Sequence, residues 1–132
     1  MIKINFLHFC DLAFTAEDNK TLSVIRIFDY ITTRGFPAAH PRFTIVFNIL
    51  SDSDQTPWHK DYELKIISPN KKDTIVSVGG SFSLGKQTKS ANIICDFFGT
   101  IFPMEGKYSI QILVDKKLVS SEDYALEIKT IL

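Results

Sequence analysis

The sequence predicts an all-β fold, an antiparallel β-sandwich of about seven to nine strands, formed as a single domain over residues 1–132. Three observations predict it. The dominant hydrophobic period is two, and β-branched and aromatic side chains fill it. Glycine and proline fall between the apolar runs, at Gly35, Pro37, Pro41, Pro57, Pro69, Gly79, Gly80, Gly85, Pro103 and Gly106, which is how a sandwich is punctuated. No stretch keeps a helical period for long enough to read as a helix.

The elements follow in order. "INFLHFCDLAF", "LSVIRIFDYI", "FTIVFNIL" and "IICDFFGTIF" are apolar on both faces. They read as central strands, or as strands whose outer face is covered. "DYELKIISPNKKDTIVSV" reads as a hairpin: Tyr62, Leu64 and Ile66 alternate with Glu63 and Lys65, and Pro69-Asn70 supplies the turn. "KYSIQILVDKKLV" is the clearest strand, with Tyr108, Ile110, Ile112 and Val114 inward. Asp115-Lys116-Lys117 reads as a short hairpin connection. "DYALEIKTIL" follows, with Tyr124, Leu126 and Ile128 inward and Glu127 and Lys129 outward. "SSEDYALEI" has a helix-start spacing of Ser and Glu, but the preceding hairpin needs a partner, so strand is the expectation. Gly106 lies two residues before Tyr108 at the head of a late alternating strand. That pattern resembles the tyrosine corner of immunoglobulin-like sandwiches, so the predicted sandwich is immunoglobulin-like.

"RGFPAAHPRF", Arg34 to Phe43, separates two apolar runs. Each proline fixes its own φ and pushes the residue before it to an extended conformation. Phe36, Pro37, His40 and Pro41 are therefore read as a stiff structural corner, not as a reactive loop.

Composition narrows the function classes. Lys plus Arg total 15 and Asp plus Glu total 15. A neutral chain lacks the basic footprint of a duplex-binding protein, so no nucleic-acid partner is expected. Every apolar run falls short of the roughly 20 residues that span a bilayer, so no membrane partner is expected. Asn5, His8 and Asp11 interrupt the apolar N-terminus, which reads as a strand and not as an export signal. A cytoplasmic location follows, with Cys10 and Cys95 as reduced, buried, mutually unbonded thiols.

"LHFCDLA", "KTLSVIRIFDYI" and "FPAAHPRF" together resemble a bacterial family of small β-rich proteins, a domain of unknown function. The resemblance rests on Cys10-Asp11, on Lys20, Leu22, Ser23, Phe28 and Asp29, and on the Phe36, Pro37, His40, Pro41 corner. It covers the first 45 or so residues, and the rest only by strand pattern. Arg26 departs from it, because members similar to "IIGIFD" carry glycine there. The resemblance implies a fold class and no reaction.

Candidate chemistry is sparse. On a strand, His8 and Cys10 share a face about 7 Å apart, with Asp11 opposite, which does not assemble a nucleophile, a base and an orienting acid. His8, Cys10, His40, His59 and Cys95 lack the short spacings of a metal site, so no metal and no cofactor are expected. Asp52 and Asp54 alternate as in a calcium loop but lack its later Gly and Glu. Gly80, Gly85 and Lys86 mimic a phosphate loop, but Gln87 replaces the hydroxyl residue. Gly79-Gly80 reads as a bulge or bend in a strand. Trp58 and His59 sit in a polar loop, and Phe97-Phe98 sits in a doubly apolar strand. These four are the candidate contacts. The expected function is a non-enzymatic bacterial module for protein–protein interaction or self-association. The alternative is a carbohydrate- or small-ligand-binding module using Trp58 and loop aromatics, followed by a Cys/His hydrolase.

Overall fold

In the computed structural model of the chain, the residues described are 2–16, 21–51, 58–84, 90–121 and 123–131, with Trp58 described by its backbone alone. Lys20, Asp52, Asp54, Gly85, Lys86 and Gln87, which carry part of the family resemblance, the calcium reading and the phosphate-loop reading, lie outside them. Among the described residues no helix is long and apolar enough to cross a membrane.

Among the described residues ten strands form: β1 (Ile2–Thr15), β2 (Leu22–Phe28), β3 (Tyr30–Thr33), β4 (Ala38–Ser51), β5 (Trp58–Ile67), β6 (Thr74–Leu84), β7 (Ser90–Phe102), β8 (Gly106–Val114), β9 (Lys117–Leu118) and β10 (Ala125–Thr130). Sheet A runs β2-β1-β4-β7, and sheet B runs β3-β10-β8-β5-β6 with β9 beside β8. The all-β, two-sheet expectation holds, with corrections. The strands number more than nine because β3 and β9 are very short pieces. The sheets are not wholly antiparallel, since β10 pairs β3 in parallel. Only Asp29 separates β2 from β3, so the chain passes from sheet A to sheet B without reversing.

Period two sets the core. Phe43, Ile45, Phe47 and Ile49 of β4, with Leu7 and Phe9 of β1, face Leu64, Ile66, Tyr108, Ile110, Ile112, Leu126 and Ile128 of sheet B. Each fully buried aliphatic or aromatic side chain here contributes roughly 1.5–3 kcal/mol. The Tyr108 hydroxyl donates to Met104 O at 2.6 Å and accepts from Met104 N at 3.1 Å, which is the bond back to upstream backbone that a tyrosine corner requires.

The doubly apolar runs are not all central. β2 and β7 are the edges of sheet A, and Ile25, Ile27, Phe98 and Ile101 stand exposed on them. Part of their apolar excess instead forms a second buried cluster, Cys10, Ala13 and Val46 with Leu22, Val24 and Ile94. Cys10 and Ala13 are three residues apart and both enter it, so alternation breaks between them. Arg26, across the β1–β2 pair, has φ 57°. A glycine takes that left-handed backbone without strain, which explains the departure at Arg26. A second break falls at Gly99, φ 64°: Phe97 and Phe102, five apart, both reach the main core.

Other turns differ in detail. Asp115 and Lys116 both take positive φ, the two-residue hairpin turn that matches strand twist. Lys117 already belongs to β9, and the β9–β10 segment lets β10 take over the same edge of β8 at Ser109. The corner is shorter than expected. Strand begins at Ala38, so His40 and Pro41 belong to β4, and the Phe36–Pro37 bond is cis. Pro41 is tolerated because β1 pairs β4 only from Thr44 onward, leaving the missing N–H on an open edge. Gly79 and Gly80 make no bulge; they pair in register with Glu63 and Tyr62. A Cβ at Gly80 would lie 2.8 Å from the Tyr62 hydroxyl, so close approach of the ring is the reason for that glycine.

Candidate functional site

The outer face of sheet A carries the unusual chemistry. Inward Phe43, Ile45, Phe47 and Ile49 leave Arg42, Thr44, Val46 and Asn48 on the other side of β4. Strand β7 pairs Phe98 with Arg42, Asp96 with Thr44, Ile94 with Val46 and Asn92 with Asn48. Strand β1 adds His8 opposite Val46 and Phe6 opposite Asn48. Phe6 reaches this face because the β1–β4 register shifts between Ile4 and Phe6. The extra residue, Asn5, reverses the alternation, so Ile4 packs on the core while Phe6 stacks on His8 at 5.3 Å.

One end of the face is charged and aromatic. Phe98 is 69% exposed, and the Arg42 guanidinium lies 5.4 Å from its ring centre. Asp96 stands 3.9 Å from Arg42 and accepts the Thr44 hydroxyl at 2.5 Å. Nearby, Arg26, His40 and residues 27–32 line a cleft of about 490 Å³. Burial holds the His40 pKa below its ordinary value, against backbone and Asp11 contributions that raise it.

The far end carries amides. Asn48 donates its side-chain N–H to Asn92 Oδ1 at 2.8 Å. Its own Oδ1 is closed to solvent and has no partner, although a buried amide oxygen normally finds one. Strand rise puts roughly 20 Å between the Arg42–Phe98 and Asn48–Asn92 pairs.

The expected site residues fall in separate places. Phe98 is on this face, but Phe97 is not a contact: it is 3% exposed and stacks on Phe43 in the core at 5.0 Å. Neighbours on a strand point to opposite sides. His59 is exposed, with Nδ1 2.9 Å from Ser83 Oγ. His59 and Trp58 lie at the start of β5, not in a loop. Phe36 packs against the core. His8 stacks on Phe6 and does not pair with Cys10, whose thiol meets Thr44 O at 3.7 Å. Burial raises the Cys10 pKa, which works against a nucleophilic thiolate. Cys95 is buried too, and the two cysteines are unbonded to each other. Among the described residues no group of three or more His, Cys, Asp or Glu side chains could hold a metal ion. The sequence reading missed Arg42, Asn48, Asn92 and Phe6. The available signal was an asparagine inside each of two apolar strands, "FNIL" and "ANII".

A family described as "Family of unknown function (DUF6941)" matches residues 5–127. No curated protein matches the chain. Among solved structures it is similar to Pseudomonas fluorescens alkylpurine DNA glycosylase AlkC bound to DNA containing an abasic site analog, with TM-score 0.55 and 15% identity. The match covers 97% of this chain and 30% of that one, so the chain spans about a third of the length of the protein it resembles. At this identity the likeness is one of fold. It corrects two expectations. The fold occurs in a protein bound to DNA, which overturns the protein-interaction or self-association module and the exclusion of nucleic acid. That exclusion rested on net charge, which is a sum over the chain and blind to how charge is distributed over its surface.

Proposed function

The chain belongs to the DUF6941 family, whose function is unknown, and from that premise we propose that it is a non-catalytic module that contacts nucleic acid through the outer face of sheet A. The observation that carries the reading is Arg42 over exposed Phe98, on a fold that also occurs in a DNA-bound protein. A guanidinium meets phosphate oxygens, and an open ring stacks on a base of any identity. Asp96 and Asp11 offset much of the local positive charge, so the contact is weak and leans on stacking. The tyrosine corner supports placing the two sheets in the immunoglobulin-like class. The buried, unbonded thiols support a reducing, cytoplasmic setting.

Fluorescence anisotropy with a labelled oligonucleotide tests this. Binding is expected with Kd in the range of about 10⁻⁴ to 10⁻⁶ M, with a log–log salt slope of about −1 to −2 for one or two phosphate contacts. Arg42→Ala and Phe98→Ala should each weaken it. Absence of binding to single-stranded and duplex DNA alike at low salt would overturn the reading.

A further inference from the structure

We propose that the Asn48–Asn92 pair is a base-reading subsite for single-stranded nucleic acid, selective for bases with an exocyclic amino group. The proposal rests on the nucleic-acid reading above and deepens it. Three features converge. Asn48 is 6% exposed, and its Oδ1 is an unpartnered acceptor. Its amide nitrogen is committed to Asn92, so the pair is held with one acceptor unfilled. Phe6, opposite Asn48 in register, stacks with His8, and both rings reach this face through the irregularity after Ile4.

The strand type follows from charge and shape. A duplex is held mainly through many phosphate contacts, and on this face Arg42 is already engaged by Asp96 and Phe98. Single strands are held by stacking, with base edges read by side chains once the bases are splayed apart. Phe98 with Arg42 at one end and Phe6 with His8 at the other give two aromatic platforms on one sheet face.

The selectivity follows from the acceptor. Asn48 Oδ1 is recessed, with half-buried Phe6 opposite Asn48 on the neighbouring strand. An exocyclic amino group projects from the ring and reaches a recessed oxygen. A ring N–H lies between two carbonyl oxygens, which would meet Oδ1 before the proton did. Cytosine therefore satisfies the site, and uracil leaves the acceptor unpaired.

Oligo(dC) and oligo(dU) of about 12 nucleotides isolate this difference, because the bases differ only in the amino group against oxygen and in the N3 proton that goes with it. Anisotropy with the full chain should show oligo(dC) binding about tenfold tighter, the discrimination expected of one good base contact. Asn92→Ala, which frees the Asn48 amide to rotate, should bring the two affinities together. In the wild-type protein the Asn48 side-chain amide signal in ¹⁵N NMR should move with oligo(dC) and not with oligo(dU). Equal affinities and an unmoved Asn48 signal would overturn the subsite, while sensitivity of both affinities to Arg42→Ala would leave the broader reading standing. Binding of neither oligonucleotide would overturn both. Free dCMP binding as tightly as the oligonucleotide would overturn the assignment to a strand.

Discussion

Arg26 holds the Asp11 carboxylate through one guanidinium nitrogen, at 2.9 Å and 3.2 Å to its two oxygens, while its own backbone sits at φ 57°. The two effects oppose each other. The left-handed backbone costs a non-glycine residue roughly 1–2 kcal/mol. The ion pair is 71% and 43% exposed at its partners, and exposed pairs contribute about 0–1 kcal/mol.

Arg26→Gly is accordingly expected to leave stability unchanged or raise it by up to about 1 kcal/mol, since glycine takes this conformation freely. Arg26→Ala keeps the strain and loses the pair, so it should cost about 0.5–1 kcal/mol. Urea melts of both variants decide the point. A glycine variant no more stable than the alanine variant would show that the left-handed backbone at residue 26 holds no strain for glycine to relieve.

Tyr108 is fully buried, and its hydroxyl both donates to and accepts from the Met104 backbone. Tyr108→Phe leaves that backbone carbonyl and N–H without their partner and should cost about 1–3 kcal/mol. Tyr108→Ala adds a cavity and should cost about 3–5 kcal/mol. A phenylalanine variant with an unchanged urea midpoint would mean that the corner hydroxyl contributes nothing net.

Gly80→Ala would place a methyl 2.8 Å from the Tyr62 hydroxyl and 2.9 Å from two of its ring carbons. Tyr62 packs against Phe47 and Phe82, so it cannot simply retreat. The variant should lose about 1–3 kcal/mol by overpacking. Gly79→Ala meets only the Tyr62 carbonyl, at 3.3 Å, and should lose less. Thermal melts of the two variants side by side test the order, and a reversed order would refute the account of this hairpin.

His40 supplies the pH prediction. Burial lowers its folded pKa below the ordinary 6.5, so between the two values the unfolded chain binds more protons than the folded one. Stability is then fully present above pH 6.5 and declines as pH falls through 6.5 toward the folded pKa. The melting temperature should drop between about pH 7.5 and about pH 5.5, the range in which histidine titrates. His40→Gln should reduce that drop. A drop of the same size in the variant would assign it to other groups.

What was legible from sequence was whatever a single strand dictates. Tyr108, Ile110, Ile112 and Val114 alternate with Ser109, Gln111 and Leu113, and all four are buried. The hairpin around Pro69-Asn70 and the tyrosine corner also follow from short-range pattern, because period two and turn chemistry are local properties of the chain. What the tertiary structure decided needed a partner strand. Asn5 shifts register only against β4, and that shift alone turns Phe6 away from the face of Ile4. Gly99 and Arg26 break alternation through left-handed backbone, so Phe102 turns inward, while strand order leaves β2 an edge. Asn48 and Asn92 lie 44 residues apart and meet only because β7 lies beside β4. Sequence carries the period of each strand; register between strands is set by long-range pairing, and one inserted residue reverses every side chain beyond it.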